Sequence, residues 1–370
     1  MKILQICPYD FSRPGGVKTH ILGLSKALRD EGHSVKIVVP NQSGLEGEQT
    51  EIRAFGRNHG FAFGGTKIDL NICLGSEWRR LRKFMREEKF DVAHYHTIWN
   101  PVLALQVRMI FRGHQVATFH DTPSNTRVGR FLGRWIMPLM GKAIFHWLDE
   151  MISVSETQKR GISRFSKRKV HVISNGIAPF EKGESIEKYS DNKFNVLFLG
   201  RMEPRKGVMD AIKAFEIFKK QIAESRLIVA GDGRERGLAE RYCLQKKLMD
   251  VEFLGQVEEI GKQDLLASAD LFVASARYGE SFGIILLEAM QAGVPLVGYA
   301  NEGYRELLNP EQLAYFANPE DIVGLADSMS RIQKLKTCLE LRKLGIDYAA
   351  TFEWPKIVKQ IERLYSIPEQ

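Results

Sequence analysis

Short apolar runs recur along the chain, each closed by a polar loop bearing Gly or Pro and then by a segment with helical spacing. Lys2 to Cys7 is the first run. A loop ending in Gly15-Gly16 follows it, then Ile21, Leu24 and Leu28 on one helical face, then Gly32-His33 and the run Ser34 to Val39. Strand, Gly loop, helix and strand in that order open a doubly wound α/β domain with a parallel sheet. Residues 41–75 are Gly-rich and polar, and predict short strands and a loop. Asp91 to His96, Gln115 to Phe119, Met151 to Val154 and Val170 to Ile173 continue the strand series. Asn175-Gly176 and the polar residues up to Lys193 break the rhythm, and Phe194 to Leu199 restarts it with a helix predicted over 208–220. Helices dominate after Tyr299, and the segment beyond Thr351-Phe352-Glu353-Trp354-Pro355 predicts a helix able to cross back to the first half. At 370 residues the chain exceeds one ordinary core. The pattern predicts two Rossmann-like domains: 1–180 with a C-terminal helix at 351–370, and 181–350.

The second half is organised around Gly279-Glu280-Ser281-Phe282-Gly283-Ile284-Ile285-Leu286-Leu287-Glu288. It lies between an apolar run, Ala269 to Ala274, and a second run, Pro295 to Val297. A strand-to-helix loop in a parallel sheet sits at the carboxyl edge where ligands bind. A helix starting near Phe282 or Gly283 aims unpaired N–H groups and its positive dipole end at that edge, which suits an anion such as phosphate. Glu280 precedes the helix, and Glu288, four residues after Ile284, shares a face with its first turn. Carboxylates repel phosphate but accept hydrogen bonds from sugar and ribose hydroxyls flanking a diphosphate. The plain alternative is a loop glutamate and a solvated helix glutamate.

Three cations fall within six residues at Gly200-Arg201-Met202-Glu203-Pro204-Arg205-Lys206-Gly207. Arg grips phosphate oxygens with two bonds and Lys acts as a point charge, so this loop is the stronger anion signal. Gly15-Gly16 before a helix is a second cradle or an ordinary turn. Gly231-Asp232-Gly233 through Gly237 has G-x-G-x-x-x-G spacing, which does not fit the dinucleotide fingerprint. His94 and His96 share a strand face, but a third metal ligand is not evident, and no metal site is assigned. His120 stands at the end of a strand, at the mouth of the same edge as Gly15-Gly16.

Composition narrows the class. With 44% hydrophobic and 26% charged residues the chain is of the soluble globular type. No apolar run reaches the ~18 residues that span a bilayer. The four cysteines form no C-x-x-C and read as reduced thiols of a cytoplasmic protein. The net charge of +8 is uneven: residues 1–180 hold 27 Lys/Arg against 15 Asp/Glu, a net of +12. A basic first half implies an anionic partner. Trp78 to Phe90 interleaves Arg79, Arg80, Arg82, Lys83, Arg86 and Lys89 with apolar residues. As a helix it lies on an anionic membrane, or turns its apolar stripe to the sheet. Aromatics are not arranged as a base-stacking platform and no recognition motif occurs, so nucleic acid is not expected as a partner.

The residues quoted above, in their order, resemble those of the family 4 glycosyltransferases with the GT-B fold, and the likeness covers nearly the whole chain. It is carried by Pro14-Gly15-Gly16-Val17, Ala117-Thr118-Phe119-His120, Ile152-Ser153-Val154-Ser155, Asn175-Gly176, Gly200-Arg201 with Lys206-Gly207, Phe253-Leu254-Gly255, and the E-x7-E pair Glu280 and Glu288. Within the family, Cys7-Pro8-Tyr9 through Gly16 and the 279–284 stretch look most like bacterial phosphatidylinositol mannosyltransferases.

That resemblance implies two domains facing across a cleft, a GDP- or UDP-linked sugar donor, no cofactor, and transfer of a hexose such as mannose with retention. It implies a lipid-linked or glycan acceptor in envelope or polysaccharide synthesis, at the inner face of the membrane. Arg201 and Lys206 would neutralise the leaving diphosphate, with Gly15, Gly16, Gly283 and Ile284 on the same phosphates. Glu280, with Ser281 and Phe282, would hold the donor sugar, Glu288 the ribose, Gln256 and Val257 the base, and His120 the sugar near the reacting centre. Tyr9, Lys18, Asp121 and Thr122 fall where acceptor contacts lie. No carboxylate stands out as a nucleophile, so front-face attack assisted by the leaving phosphate is implied, and the absence of a D-x-D triplet, with Arg201 and Lys206 able to do a metal's electrostatic work, implies metal independence. An epimerase-type or non-catalytic nucleotide-sugar-binding GT-B protein is the alternative.

Overall fold

The computed structural model describes residues 1–8, 11, 15–41, 51–63, 66–98, 101–120, 141, 144–164, 166–181, 183–334 and 338–366. The chain forms two compact units, Met1–Gly176 with Trp354–Gln370, and Ile177–Glu353.

In the first unit, β1 (Lys2–Ile6), α1 (Gly16–Asp30), β2 (Ser34–Asn41), β3 (Ile52–Phe63), β4 (Thr66–Ile72), α2 (Gly75–Glu88), β5 (Val92–His96), α3 (Pro101–Ile110), β6 (His114–Phe119), β7 (Glu150–Ser153), α4 (Glu156–Ser163) and β8 (Val170–Val172) follow in order. The sheet runs β4-β3-β2-β1-β5-β6-β7-β8. All described neighbours are parallel except the antiparallel pair β3 and β4. At 12 residues β3 is longer than the short strands expected there. Its sequence has little apolar alternation, and backbone pairing to β2 and β4 sets its length. Buried residues such as Leu4, Tyr95, Phe119 and Leu81 fill one face of the sheet. Ile3, Leu24, Val116 and Ile152 fill the other.

The C-terminal helix Trp354–Tyr365 belongs to that second layer. Trp354, Ile357, Val358, Ile361 and Tyr365 are buried, at the three- and four-residue spacing of one helical face. Trp354 needs two glycines. A Cβ at Gly23 would lie 2.3 Å from its Nε1, and one at Gly176 would lie 2.4 Å from its six-membered ring.

Helix α2 resolves the ambiguity over Trp78–Phe90. Leu81 and Met85 are buried, and Trp78 and Phe84 pack against the same core. The apolar stripe therefore faces the sheet, while Arg79, Arg80, Arg82, Lys83, Arg86 and Lys89 are exposed. Among the described residues no helix is long and apolar enough to cross a membrane.

The second unit contains β9 (Phe194–Leu199), α5 (Val208–Lys219), β10 (Ser225–Ala230), α6 (Arg236–Lys246), β11 (Val251–Gly255), α7 (Glu259–Ala267), β12 (Leu271–Ala274), α8 (Ile284–Gln291), β13 (Leu296–Tyr299), α9 (Glu302–Leu307) and β14 (Phe316–Ala317), with further helices at Ile322–Lys334 and Cys338–Ala349. Its six strands run β11-β10-β9-β12-β13-β14, all parallel. In each sheet the order reverses once, between β1 and β5 and between β9 and β12. The carboxyl ends of strands at such a reversal border the crevice where α/β sheets bind ligands.

Candidate active site

The cation loop leaves β9 at the reversal of the second sheet. Pro204–Lys206 makes one turn of 3-10 helix and Gly207 turns left-handed, with φ 71°. A Cβ there would stand 2.1 Å from Ser275 O, so glycine is required on two counts. The loop is tied to the segment after β12. Ser275 Oγ donates to Gly207 O at 2.8 Å, and Arg277 N donates to Arg205 O at 2.8 Å. Arg277 also grips buried Asp210 with two bonds of 2.8 and 2.6 Å. Backbone and ion pair together fix the cation loop against the neighbouring strand end.

Lys206 Nζ lies 2.6 Å from Glu280 Oε1, and Arg205 Nη1 lies 3.2 Å from the same oxygen. Glu203 bridges Arg201, at 2.9 Å, and Arg205, at 3.1 Å. Arg201 is the most open of the three cations, with 60% of its side chain exposed against 27% for Arg205 and 21% for Lys206. Arg205 was not singled out from the sequence, although it stands inside the loop that was.

Helix α8 begins at Ile284, after Gly283 with φ 98°. A Cβ on Gly283 would meet the Tyr304 ring at 2.8 Å. Phe282 is buried and edges onto the Phe352 ring. Asn301 caps α9, accepting from Tyr304 N at 3.0 Å, and donates to Ala276 O at 2.8 Å. Glu280 is packed under α9, since a Cβ on Gly303 would meet its carbonyl oxygen at 2.2 Å. Glu288, on α8, is paired with Lys262 of α7 at 2.7 Å. Burial raises the Glu288 carboxyl above its ordinary range, against the opposing pull of Lys262. Lys262 has no signal in the sequence, because it lies 26 residues from its partner. Gln256 is exposed and Val257 half-buried at the end of β11. Gly231 and Gly233 serve packing: their Cβ atoms would lie 2.0 Å from Gly200 O and 2.6 Å from Met202 O.

In the first unit, Gly15 and Gly16 are exposed where α1 starts. A Cβ at Gly15 would meet nothing within 4 Å, so the chain's own packing does not require that glycine. Lys18 Nζ donates to Phe11 O at 2.5 Å and is thereby tied to the preceding loop. Tyr9, Asp121 and Thr122 lie outside the described residues.

His120, at the end of β6, belongs to a buried imidazole cluster with His20 of α1 and His94 and His96 of β5. His94 Nδ1 contacts Tyr365 Oη and its Nε2 contacts Thr118 Oγ1, both at 2.6 Å. His96 Nε2 contacts Gln5 Oε1. Gln5 Oε1 accepts there, so Nε2 carries the proton and Nδ1 carries the lone pair. His96 Nδ1 in turn meets His120 Nε2 at 3.0 Å. Burial lowers His20 and His94 to about 3. It holds His96 and His120 well below the ordinary value, with neighbouring imidazoles adding to the effect. All four are neutral at physiological pH.

Comparison with known proteins decides what this geometry belongs to. The family model described as Glycosyltransferase Family 4 matches residues 14–179, and that described as Glycosyl transferases group 1 matches residues 181–351. The chain belongs to the family 4 glycosyltransferases. A phosphatidyl-myo-inositol mannosyltransferase from Mycobacterium leprae is 29% identical over 373 residues, covering 99% of this glycosyltransferase and 96% of the relative. A glycogen synthase from Mycobacterium tuberculosis is 26% identical, covering 95% and 91%. Among solved structures, HepE from Anabaena with UDP and glucose aligns at a TM-score of 0.77 and 21% identity, covering 98% of each chain. A sucrose-phosphate synthase from Thermosynechococcus elongatus aligns at 0.76 and 20%, again covering 98% of each. These likenesses show that the glycosyltransferase has the GT-B fold.

Proposed function

We propose that this glycosyltransferase moves a hexose, mannose first among the candidates, from a nucleotide diphosphate to a hydroxyl of a lipid-linked acceptor, with retention at the anomeric carbon. The observation that carries the reading is the contact of Lys206 and Arg205 with Glu280 at 2.6 and 3.2 Å. It supports the reading of these cations as a diphosphate clamp and of Glu280 as the carboxylate that accepts sugar hydroxyls, beside one sheet reversal. Arg201 and Lys206 neutralise the diphosphate as the glycosidic bond breaks, which is where negative charge grows. The N–H groups of Gly283 and Ile284 add the helix's positive end. Glu280 takes the sugar hydroxyls and Glu288 the ribose. With two cations on it, Glu280 is a weak nucleophile, which favours attack by the acceptor hydroxyl on the face the diphosphate leaves. The departing phosphate oxygen takes the hydroxyl proton.

The first unit takes the acceptor. A phospholipid acceptor is supported by the full-length likeness to phosphatidyl-myo-inositol mannosyltransferases and by the net +12 of residues 1–180. The exposed basic face of α2 supports attraction to an anionic surface, at about 1 kcal/mol per Lys or Arg near the membrane.

The test is a thermal-shift panel of GDP, UDP, ADP and their sugars in chelator, followed by product analysis with phosphatidylinositol. Ligand at ~100 times Kd stabilises by about 2.7 kcal/mol. A shift with one nucleotide and an α-linked product from its α-linked sugar donor support the reading. Binding without transfer to any hydroxyl acceptor, or a product of inverted configuration, overturns it.

A further inference from the structure

The imidazole cluster contains more than a sugar contact. Among the described residues, His20, His96 and His120 each place a ring nitrogen within 4.8 Å of the other two. They come from three elements, α1, β5 and the end of β6. We propose that these three histidines bind one divalent transition-metal ion, Zn2+ first, as a staple inside the first unit.

Three features favour it. An all-imidazole donor set suits Zn2+ and its neighbours rather than Mg2+ or Ca2+. A tetrahedral Zn2+ with bonds of about 2.0–2.1 Å spaces its nitrogen ligands by about 3.3 Å, and His96 Nδ1 and His120 Nε2 stand 3.0 Å apart. His20 is 2% exposed, and neither of its ring nitrogens has a hydrogen-bond partner. Asn175 is close enough to act on His20 as a side-chain hydrogen-bond partner that raises its proton affinity, but the contact lacks the geometry of a full hydrogen bond, which leaves Asn175 Oδ1 and both His20 nitrogens without one. A buried polar group without a full hydrogen bond is destabilising, and a metal bond to His20 would satisfy it.

The surroundings are also arranged for ligation. Gln5 Oε1 holds the proton on His96 Nε2, which leaves Nδ1 free to ligate, the orienting role such partners play in metal sites. His94 is excluded because both its nitrogens are engaged by Tyr365 and Thr118. The sequence placed only His94 and His96 together; the fold keeps His96 and supplies the other two ligands, His20 from α1 and His120 from the end of β6. Ligation through Nε2 leaves Nδ1 of His120 for the sugar contact proposed above. The ion's role is positional: it ties the start of α1, and with it the Gly15-Gly16 turn, to His120. Without metal, a proton shared between His96 and His120 takes its place.

The experiment uses full-length protein purified without a polyhistidine tag, stripped with chelator and dialysed. Zn2+ is titrated with elemental analysis, and Co2+ with visible absorption. A single equivalent with the intense bands of tetrahedral Co2+ is expected. His20→Asn should abolish binding, Gln5→Leu should weaken it by about 10–100-fold, and His94→Gln should keep it. Circular dichroism of each metal-free variant reports folding. Less than a tenth of an equivalent in the parent, weak octahedral Co2+ bands, or full binding in folded His20→Asn overturns the proposal. If His20→Asn fails to fold, the parent's stoichiometry and Co2+ spectrum decide. None of these readouts depends on transferase activity.

Discussion

Acidification should unfold the first unit well above the carboxylate range. The unfolded chain takes up protons on histidine near pH 6.5, whereas burial holds His20 and His94 at about 3. Below about 6.5 the unfolded state binds protons that the folded state refuses. Stability therefore falls as pH falls through the window from about 6.5 to about 3. Moving from pH 7 to about 5.5 costs about 1.3 kcal/mol for each such group, and about 5 kcal/mol when His96 and His120 behave alike. That is comparable with the whole stability of an ordinary domain. Glu288 acts in the opposite sense in the second unit. Its raised folded value makes the folded state the better proton binder just above the carboxylate range, so stability there is lost as pH rises. Thermal melts in chelator between pH 7 and 5.5 should show one transition falling by roughly 10–20 °C, and His94→Gln should flatten that slope. A flat profile, or an unchanged slope in folded His94→Gln, refutes the argument that four imidazoles are held neutral in one core.

Lys206→Ala should lower kcat by about 100–1,000-fold, the scale of one lost electrostatic contact in a transition state. Arg205 still reaches Glu280 at 3.2 Å, so the melting midpoint should move by only a few degrees, and turnover within a few-fold of the parent would remove Lys206 from the clamp. Gly207→Ala combines a left-handed φ, at about 1–2 kcal/mol, with a Cβ 2.1 Å from Ser275 O. Calorimetry should show a loss of more than about 2 kcal/mol, and a neutral result would mean that the clamp loop yields freely. Reversing Arg79, Arg82, Lys83 and Arg86 to Glu should abolish sedimentation with anionic vesicles at low salt while leaving folding intact, because their face of α2 is solvent-exposed. Unchanged sedimentation assigns membrane attraction to another surface.

The sheet order and the two reversals were legible because each apolar run is short, bounded by Gly or Pro, and followed by helical spacing. The charged residues of the candidate site were legible where they are local: Arg201 to Lys206 lie on one loop, and Glu280 to Glu288 span one loop and helix. Arg205 was counted among the three loop cations but given no role, since a loop arginine does not announce its partner. Only the fold brings Glu280 to 3.2 Å from it. Lys262 and His20 were hidden for the same reason at longer range, as partners on separate elements with no shared period. Alternation put His94 and His96 on one face, and their rings do stack there, 4.4 Å between centroids; their other partners, Tyr365 for His94 and His120 for His96, come from separate elements and were not legible.

The indole of Trp354 fills space left by Gly23 and Gly176, so the first unit is interrupted by the whole of the second. On the ribosome, the first 176 residues emerge long before the helix that covers their sheet, whereas the second unit is complete on synthesis of Glu353. The usual order of biogenesis, N-terminal domain first, is therefore inverted at its last step. Until the Trp354–Tyr365 helix leaves the exit tunnel, Ile3, Leu24, Val116 and Ile152, on one face of the sheet, lack the helix that packs against them. A nascent chain stalled there is a natural client for a chaperone, and a premature stop codon after the second unit leaves that face permanently bare.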